Sequence, residues 1–134
     1  MLEPYLYFNG CCAEALAFYT EALGATVEFQ MRYSESPQPI PGTPDGWDDK
    51  LMHATLQIAG QRVMAADAAN ASDFGGFALS VSLEDEAAVK HTFDALSQGA
   101  EIIMPVCETF WSKAFGMLKD RFGVSWMVTL APPE

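Results

Sequence analysis

Half of the 134 residues are apolar and 19% are charged, a composition that fills one hydrophobic core and excludes a disordered tail or a staple-dependent mini-protein. The formal charge of -11, from 18 acidic against 7 basic residues, repels phosphate backbones and anionic surfaces, so no nucleic acid and no membrane are expected as partners. No apolar run approaches the roughly 20 residues of a membrane span, and no basic stretch leads into an apolar one near Met1. The expectation is a soluble, cytoplasmic protein.

Cys11, Cys12 and Cys107 cannot all pair within one chain, and adjacent Cys11 and Cys12 lack the spacing of a metal-binding CxxC. Reduced thiols are the simpler expectation. Tyr5-Leu6-Tyr7-Phe8 reads as a short strand that stops at Asn9-Gly10. From Cys12 onward, Leu16, Tyr19 and Leu23 recur at helical spacing, with Asn9 available as a cap and Gly24 as a left-handed stop. Thr26 to Tyr33 alternates Val27, Phe29, Met31 and Tyr33 against polar neighbours, the pattern of a half-buried strand.

Between Ser34 and Lys50 lie four of the eight prolines, two glycines and three aspartates, which neither pair in a sheet nor wind into a helix. This long loop is either a passive excursion or a lid or partner contact. Leu51 to Ile58 and Gln61 to Ala66 flank Ala59-Gly60 as a hairpin.

The second half repeats the pattern. Phe77 to Val81 reads as a strand. Ser82 with Asp85 resembles a capping box, and Val89, Phe93 and Leu96 make a helix face that Gly99 ends. Ile102 to Met104 starts a strand that Pro105 interrupts, and Lys113 to Leu118 with Val124 to Leu130 flank a last turn at Asp120 to Gly123. Phe18, Gly24 and Ala25 recur 75 residues later as Phe93, Gly99 and Ala100, while Gly60 and Met64 recur 63 residues later as Gly123 and Met127. Both halves read βαβββ. The fold class is therefore α+β: two paired modules, about 1–68 and 75–131, within a single domain spanning 1–134. Each half alone exposes a sheet face, so the pair is expected to form a curved mixed sheet around a cleft.

This order resembles the vicinal oxygen chelate superfamily of glyoxalase I, the bleomycin-resistance proteins and the extradiol dioxygenases. Pro4-Tyr5-Leu6, Ala13-Glu14-Ala15, Phe18-Tyr19, Met52-His53-Ala54, Met64-Ala65-Ala66-Asp67, Phe115-Gly116-Met117 and Asp120-Arg121-Phe122-Gly123 with Trp126 are similar to its PhnB-like branch. The resemblance implies a cleft between the modules, commonly a homodimer, and in many members a divalent metal on inward strands. Carried over residue by residue, the ligand positions fall near Pro4, near Gly76, on Met127 and at or next to His53. Only His53 suits a metal, and one imidazole does not make a site. The branch also carries a ubiquinone-methyltransferase label, but the chain has no Gly-x-Gly-x-Gly turn after a strand.

His53 is the leading candidate, as general base, ligand anchor or lone metal contact, against an ordinary role as a core or rim histidine satisfied by a carbonyl. Tyr7 and Trp111 offer flat walls for a planar guest, and Met127 an adaptable one, against ordinary core packing. Asp67 meets a ligand or a cation across the cleft, or caps a turn. His91 is expected to face solvent, and Cys107 has no visible base to activate it. The expected partners are a small apolar or aromatic molecule and a second copy of the chain. Whether there is a cofactor is open: none for a binder, a divalent metal for a glyoxalase-type or dioxygenase-type enzyme. A third reading makes the proline-rich loop a protein contact.

Overall fold

The computed structural model describes residues 1–132; Pro133 and Glu134, part of the domain expected from the sequence, lie outside the described residues. The chain divides into two compact units, one of Met1–Ser72 and one from Asp73 onward. The first holds strand β1 (Tyr5–Phe8), helix α1 (Cys12–Leu23), strand β2 (Thr26–Arg32), a 3-10 turn (Tyr33–Glu35), and strands β3 (Leu51–Ile58) and β4 (Gln61–Asp67). The second holds β5 (Leu79–Leu83), α2 (Glu86–Leu96), β6 (Glu101–Cys107), β7 (Phe115–Lys119) and β8 (Ser125–Leu130). Each unit is βαβββ and forms one mixed four-stranded sheet, in the orders β1-β4-β3-β2 and β5-β8-β7-β6. In both, the first and last strands are parallel neighbours and the other pairs are antiparallel.

Strand alternation gives each sheet a face toward its helix. In the first unit Leu6, Phe8, Ala54, Leu56, Val63 and Ala65 are buried there with Cys12, Ala15, Leu16 and Tyr19 of α1. In the second, Val81, Leu118, Trp126 and Val128 are buried with Val89, Phe93 and Leu96 of α2. Each large apolar side chain so buried contributes about 1.5–3 kcal/mol. Gly116 permits the close approach of α2, since a Cβ there would lie 2.7 Å from the Phe93 ring.

Several expected details differ. The cap of α1 is Cys11, with no side-chain bond, while Asn9 donates instead to the Ala69 carbonyl at 3.4 Å. Helix α2 is capped by Asp85, which accepts from Ala88 N–H at 2.7 Å, rather than by Ser82, which lies within β5. That strand begins at Leu79, and Phe77 packs edge-on against Phe74 instead. Pro105 does not end β6: the strand runs through it with register shifts, and as an edge strand it can spare the missing N–H. Strand β2 is not half-buried but largely exposed, with Phe29 at 49%.

The loop after β2 closes at its base. Tyr33 N–H donates to Lys50 O at 3.0 Å and Ser34 N–H to Asp48 O at 3.1 Å. Trp47 packs edge-on against Tyr33, and the Lys50 ammonium donates to Gly10 O at 2.7 Å.

Candidate functional site

On the first sheet, the face turned away from α1 carries Tyr5, Tyr7, Phe29, Met31, His53, Thr55 and Met64, as the pairings Tyr5 with Met64, Thr55 with Met64, Phe29 with Thr55 and Met31 with His53 require. Tyr5 and Tyr7, two residues apart on β1, stack with ring centroids 4.7 Å apart. The Tyr5 hydroxyl lies 2.9 Å from His53 Nδ1, so the contact spans β4, the strand between β1 and β3. Thr55 Oγ1 lies 3.3 Å from His53 Nε2, and the Phe29 ring centroid is 6.2 Å from the imidazole. Tyr7 is 50% exposed. The result is a half-open aromatic surface with one imidazole held at both nitrogens. Burial, then the neighbouring Tyr7, push the Tyr5 phenol above its usual range, which keeps it protonated.

Asp67 serves the fold rather than this surface. It is buried, with Oδ1 accepting from Gly10 and Cys12 N–H, each at 2.9 Å, and Oδ2 from Leu51 N–H at 3.1 Å. Sited at the first turn of α1, the carboxylate also meets the positive end of the helix dipole. Of the two roles the sequence leaves open to Asp67, ligand contact and turn cap, these bonds favour the cap. Burial, then the charge of Asp67, raise the Cys12 thiol far above the normal thiol range and raise Cys11 as well, so neither is a ready thiolate.

Trp111 and Met127 belong to the second unit. Met104, Met117 and Met127 are successive cross-strand partners on β6, β7 and β8, a row of partly buried thioethers on the face away from α2. Trp111 is 55% exposed and packs edge-on against both Phe110 and Phe115. It borders a groove of about 770 Å³ with Glu84, Glu108, Phe110, Lys113 and Leu130. His91 is exposed on α2.

The structure thus joins Tyr7 to His53 through Tyr5, and places Trp111 and Met127 in the other unit. Tyr5, Thr55 and Phe29 are the residues that sequence reasoning leaves out as site members. Their alternation with Tyr7, His53 and Met31 is the signal that could have found them.

The residues do not fit a metal of the kind the fold class implies. Among the described residues no group of three or more His, Cys, Asp or Glu side chains is placed to hold an ion. Of the carried-over positions, Pro4 and Gly76 have no donor side chain, and Met127 is a soft thioether among other thioethers.

The paired βαβββ arrangement is the glyoxalase/bleomycin-resistance fold, shared with a glyoxalase-related enzyme at 16% identity and a fosfomycin-resistance protein at 10%, a likeness of fold alone. Within that class, the chain belongs to the PhnB-like family: the family model described as 3-demethylubiquinone-9 3-methyltransferase matches residues 1–129. Protein YjdN of Escherichia coli K12 is 34% identical over 142 residues, spanning 99% of this chain and 97% of its own. Protein PA1353 of Pseudomonas aeruginosa is 38% identical with a TM-score of 0.85, and the PhnB protein of Bacillus cereus is 31% identical with a TM-score of 0.81. Each covers 97% of this chain and 98% of the relative. A methyl donor held as nucleotides often are needs a Gly-rich turn after a strand of a doubly wound parallel sheet. The sequence has no such turn, and the described residues form no such sheet. No helix among the described residues is long and apolar enough to cross a membrane.

Proposed function

We propose that this PhnB-like protein binds a small planar aromatic molecule on the first sheet's face away from α1. The supporting observation is the set Tyr5, Tyr7, Phe29 and His53: stacked or neighbouring rings, half exposed, around an imidazole fixed at both nitrogens. Flat walls with one polar anchor suit a planar guest. Tyr7 and Phe29 supply the walls, and His53 the anchor. Sequestration rather than turnover is the activity proposed for such a surface, the Tyr5 phenol beside the imidazole being engaged in holding that ring.

Saturation-transfer NMR with a panel of naphthalene derivatives tests this reading. Signal in the wild type that falls in Tyr7→Ala and Phe29→Ala supports it, and equal signal in all three rejects it. Metal analysis of protein purified without tag or chelator addresses the rival enzyme reading. About one transition metal per chain, lost in His53→Ala, would replace binding with metal-dependent chemistry.

A further inference from the structure

The polarity of the His53 anchor follows from its two hydrogen bonds. Both partners are hydroxyls, and either arrangement of protons satisfies the imidazole on paper. In one, Tyr5 O–H donates to Nδ1 and Nε2–H points to Thr55 Oγ1. In the other, Nδ1–H points to the phenol oxygen and Thr55 donates to Nε2. The chemistry of the hydroxyls separates them. A phenol is the more acidic donor, and its oxygen, with a lone pair drawn into the ring, is the poorer acceptor; an alkyl hydroxyl is the reverse. Of the two contacts the threonine one is the weaker, at 3.3 Å against 2.9 Å for the phenol.

Resting on the reading that this face binds a planar aromatic, we infer that Tyr5, by donating to Nδ1, fixes the proton of His53 on Nε2, making the site a hydrogen-bond donor. It thereby selects planar aromatics with an exocyclic acceptor oxygen, such as aryl ketones. The contact to Thr55 is long and weak, so a carbonyl oxygen arriving in the plane of the imidazole takes the Nε2–H in its place. Thr55 keeps its own O–H for solvent or for the same oxygen. Tyr5 acts here as a positioning residue, because it need not touch the guest. A ring system without the oxygen stacks equally well on Tyr7 and Phe29 but leaves Nε2–H with its weak partner alone.

Two measurements test this. Imidazole 15N NMR of the ligand-free protein, with exposed His91 as internal reference, reads the tautomer directly: a proton on Nε2 is expected, and a proton on Nδ1 overturns the inference. Titration with 9-fluorenone and with fluorene, near-isosteric and differing by the carbonyl, reads selectivity. Wild type is expected to prefer fluorenone by about fivefold to tenfold, the worth of one neutral hydrogen bond. His53→Phe, which keeps a ring but removes the donor, should bring the two probes level. Tyr5→Phe, which keeps the imidazole but frees its tautomer, should lower the preference in part and redistribute the 15N signals. Equal binding of both probes by wild type overturns the inference while leaving aromatic binding intact. Binding of neither removes both.

Discussion

Asp67, at the end of β4, accepts the backbone N–H of Cys12 at 2.9 Å, so the last strand of the first unit caps the helix that follows its first strand. The same carboxylate takes N–H groups from Gly10 and Leu51, tying β1, α1, β3 and β4 to two buried oxygens. Asp67→Asn keeps the size but replaces one acceptor oxygen with an amide N–H donor facing other N–H groups. Each buried donor left unsatisfied costs about 1–3 kcal/mol. A loss of about 2–4 kcal/mol is expected in urea unfolding, with faster hydrogen exchange at Gly10, Cys12 or Leu51. A variant as stable as wild type would refute the capping role.

Cys12 makes a prediction about pH. Its folded-state pKa is raised, chiefly by burial and then by Asp67, so the folded protein holds the thiol proton more tightly than the unfolded chain does. The resulting stability is fully present below the ordinary thiol value of 9.0 and is lost as pH rises beyond it, by up to about 1.4 kcal/mol per pH unit. Cys12→Ala removes this contribution. Denaturation series at pH 7, 9 and 10 should therefore show a shallower decline in the variant, although it starts lower by about 1 kcal/mol for the lost sulfur. Tyr5 and Tyr33, also raised by burial, add their own losses only above pH 10 and do so in both proteins.

Tyr7 and Phe29 are half exposed, so truncating either leaves the core alone. Tyr7→Ala and Phe29→Ala should each change stability by less than about 0.5 kcal/mol. Each should weaken binding of an aromatic probe by about twofold to tenfold, the range for one ring-ring contact. Paired thermal melts and probe titrations separate the two effects. A variant that melts early and binds normally would assign these rings to stability instead.

Gly116→Ala sets a new Cβ 2.7 Å from Phe93 and 3.1 Å from Val106. Because Phe93 is buried on the sheet-facing side of α2, its ring has little room to yield. Calorimetry should find the variant less stable by about 1–3 kcal/mol, as for other overpacked cores. An unchanged melting temperature would mean that α2 shifts freely on its sheet.

The element order is legible in the sequence because periodicity and glycine stops are local signals: Leu16, Tyr19 and Leu23 mark α1, and Gly24 does take the left-handed turn expected of it. The exposure of β2 is not legible, since Val27, Phe29 and Met31 alternate identically whether or not a face is covered. Nor are the partners of Asp67, which lie 57, 55 and 16 residues away, although a cap is one of the roles its position suggests. Tyr7 and His53 stand out by residue type alone. Tyr5 becomes the partner of His53 only once β4 is known to lie between β1 and β3, a fact of topology that no window of sequence contains.

The proline-rich loop rises from a base whose two ends are already joined, Tyr33 to Lys50 and Ser34 to Asp48. With the ends held, the entropy of closure grows only slowly with what lies between them. Residues can therefore be gained, lost or exchanged between Ser36 and Trp47 while the strands below keep their register. The chain carries, in effect, a socket for variation, and descendants of this fold can experiment there without reopening the question of how the sheet is built.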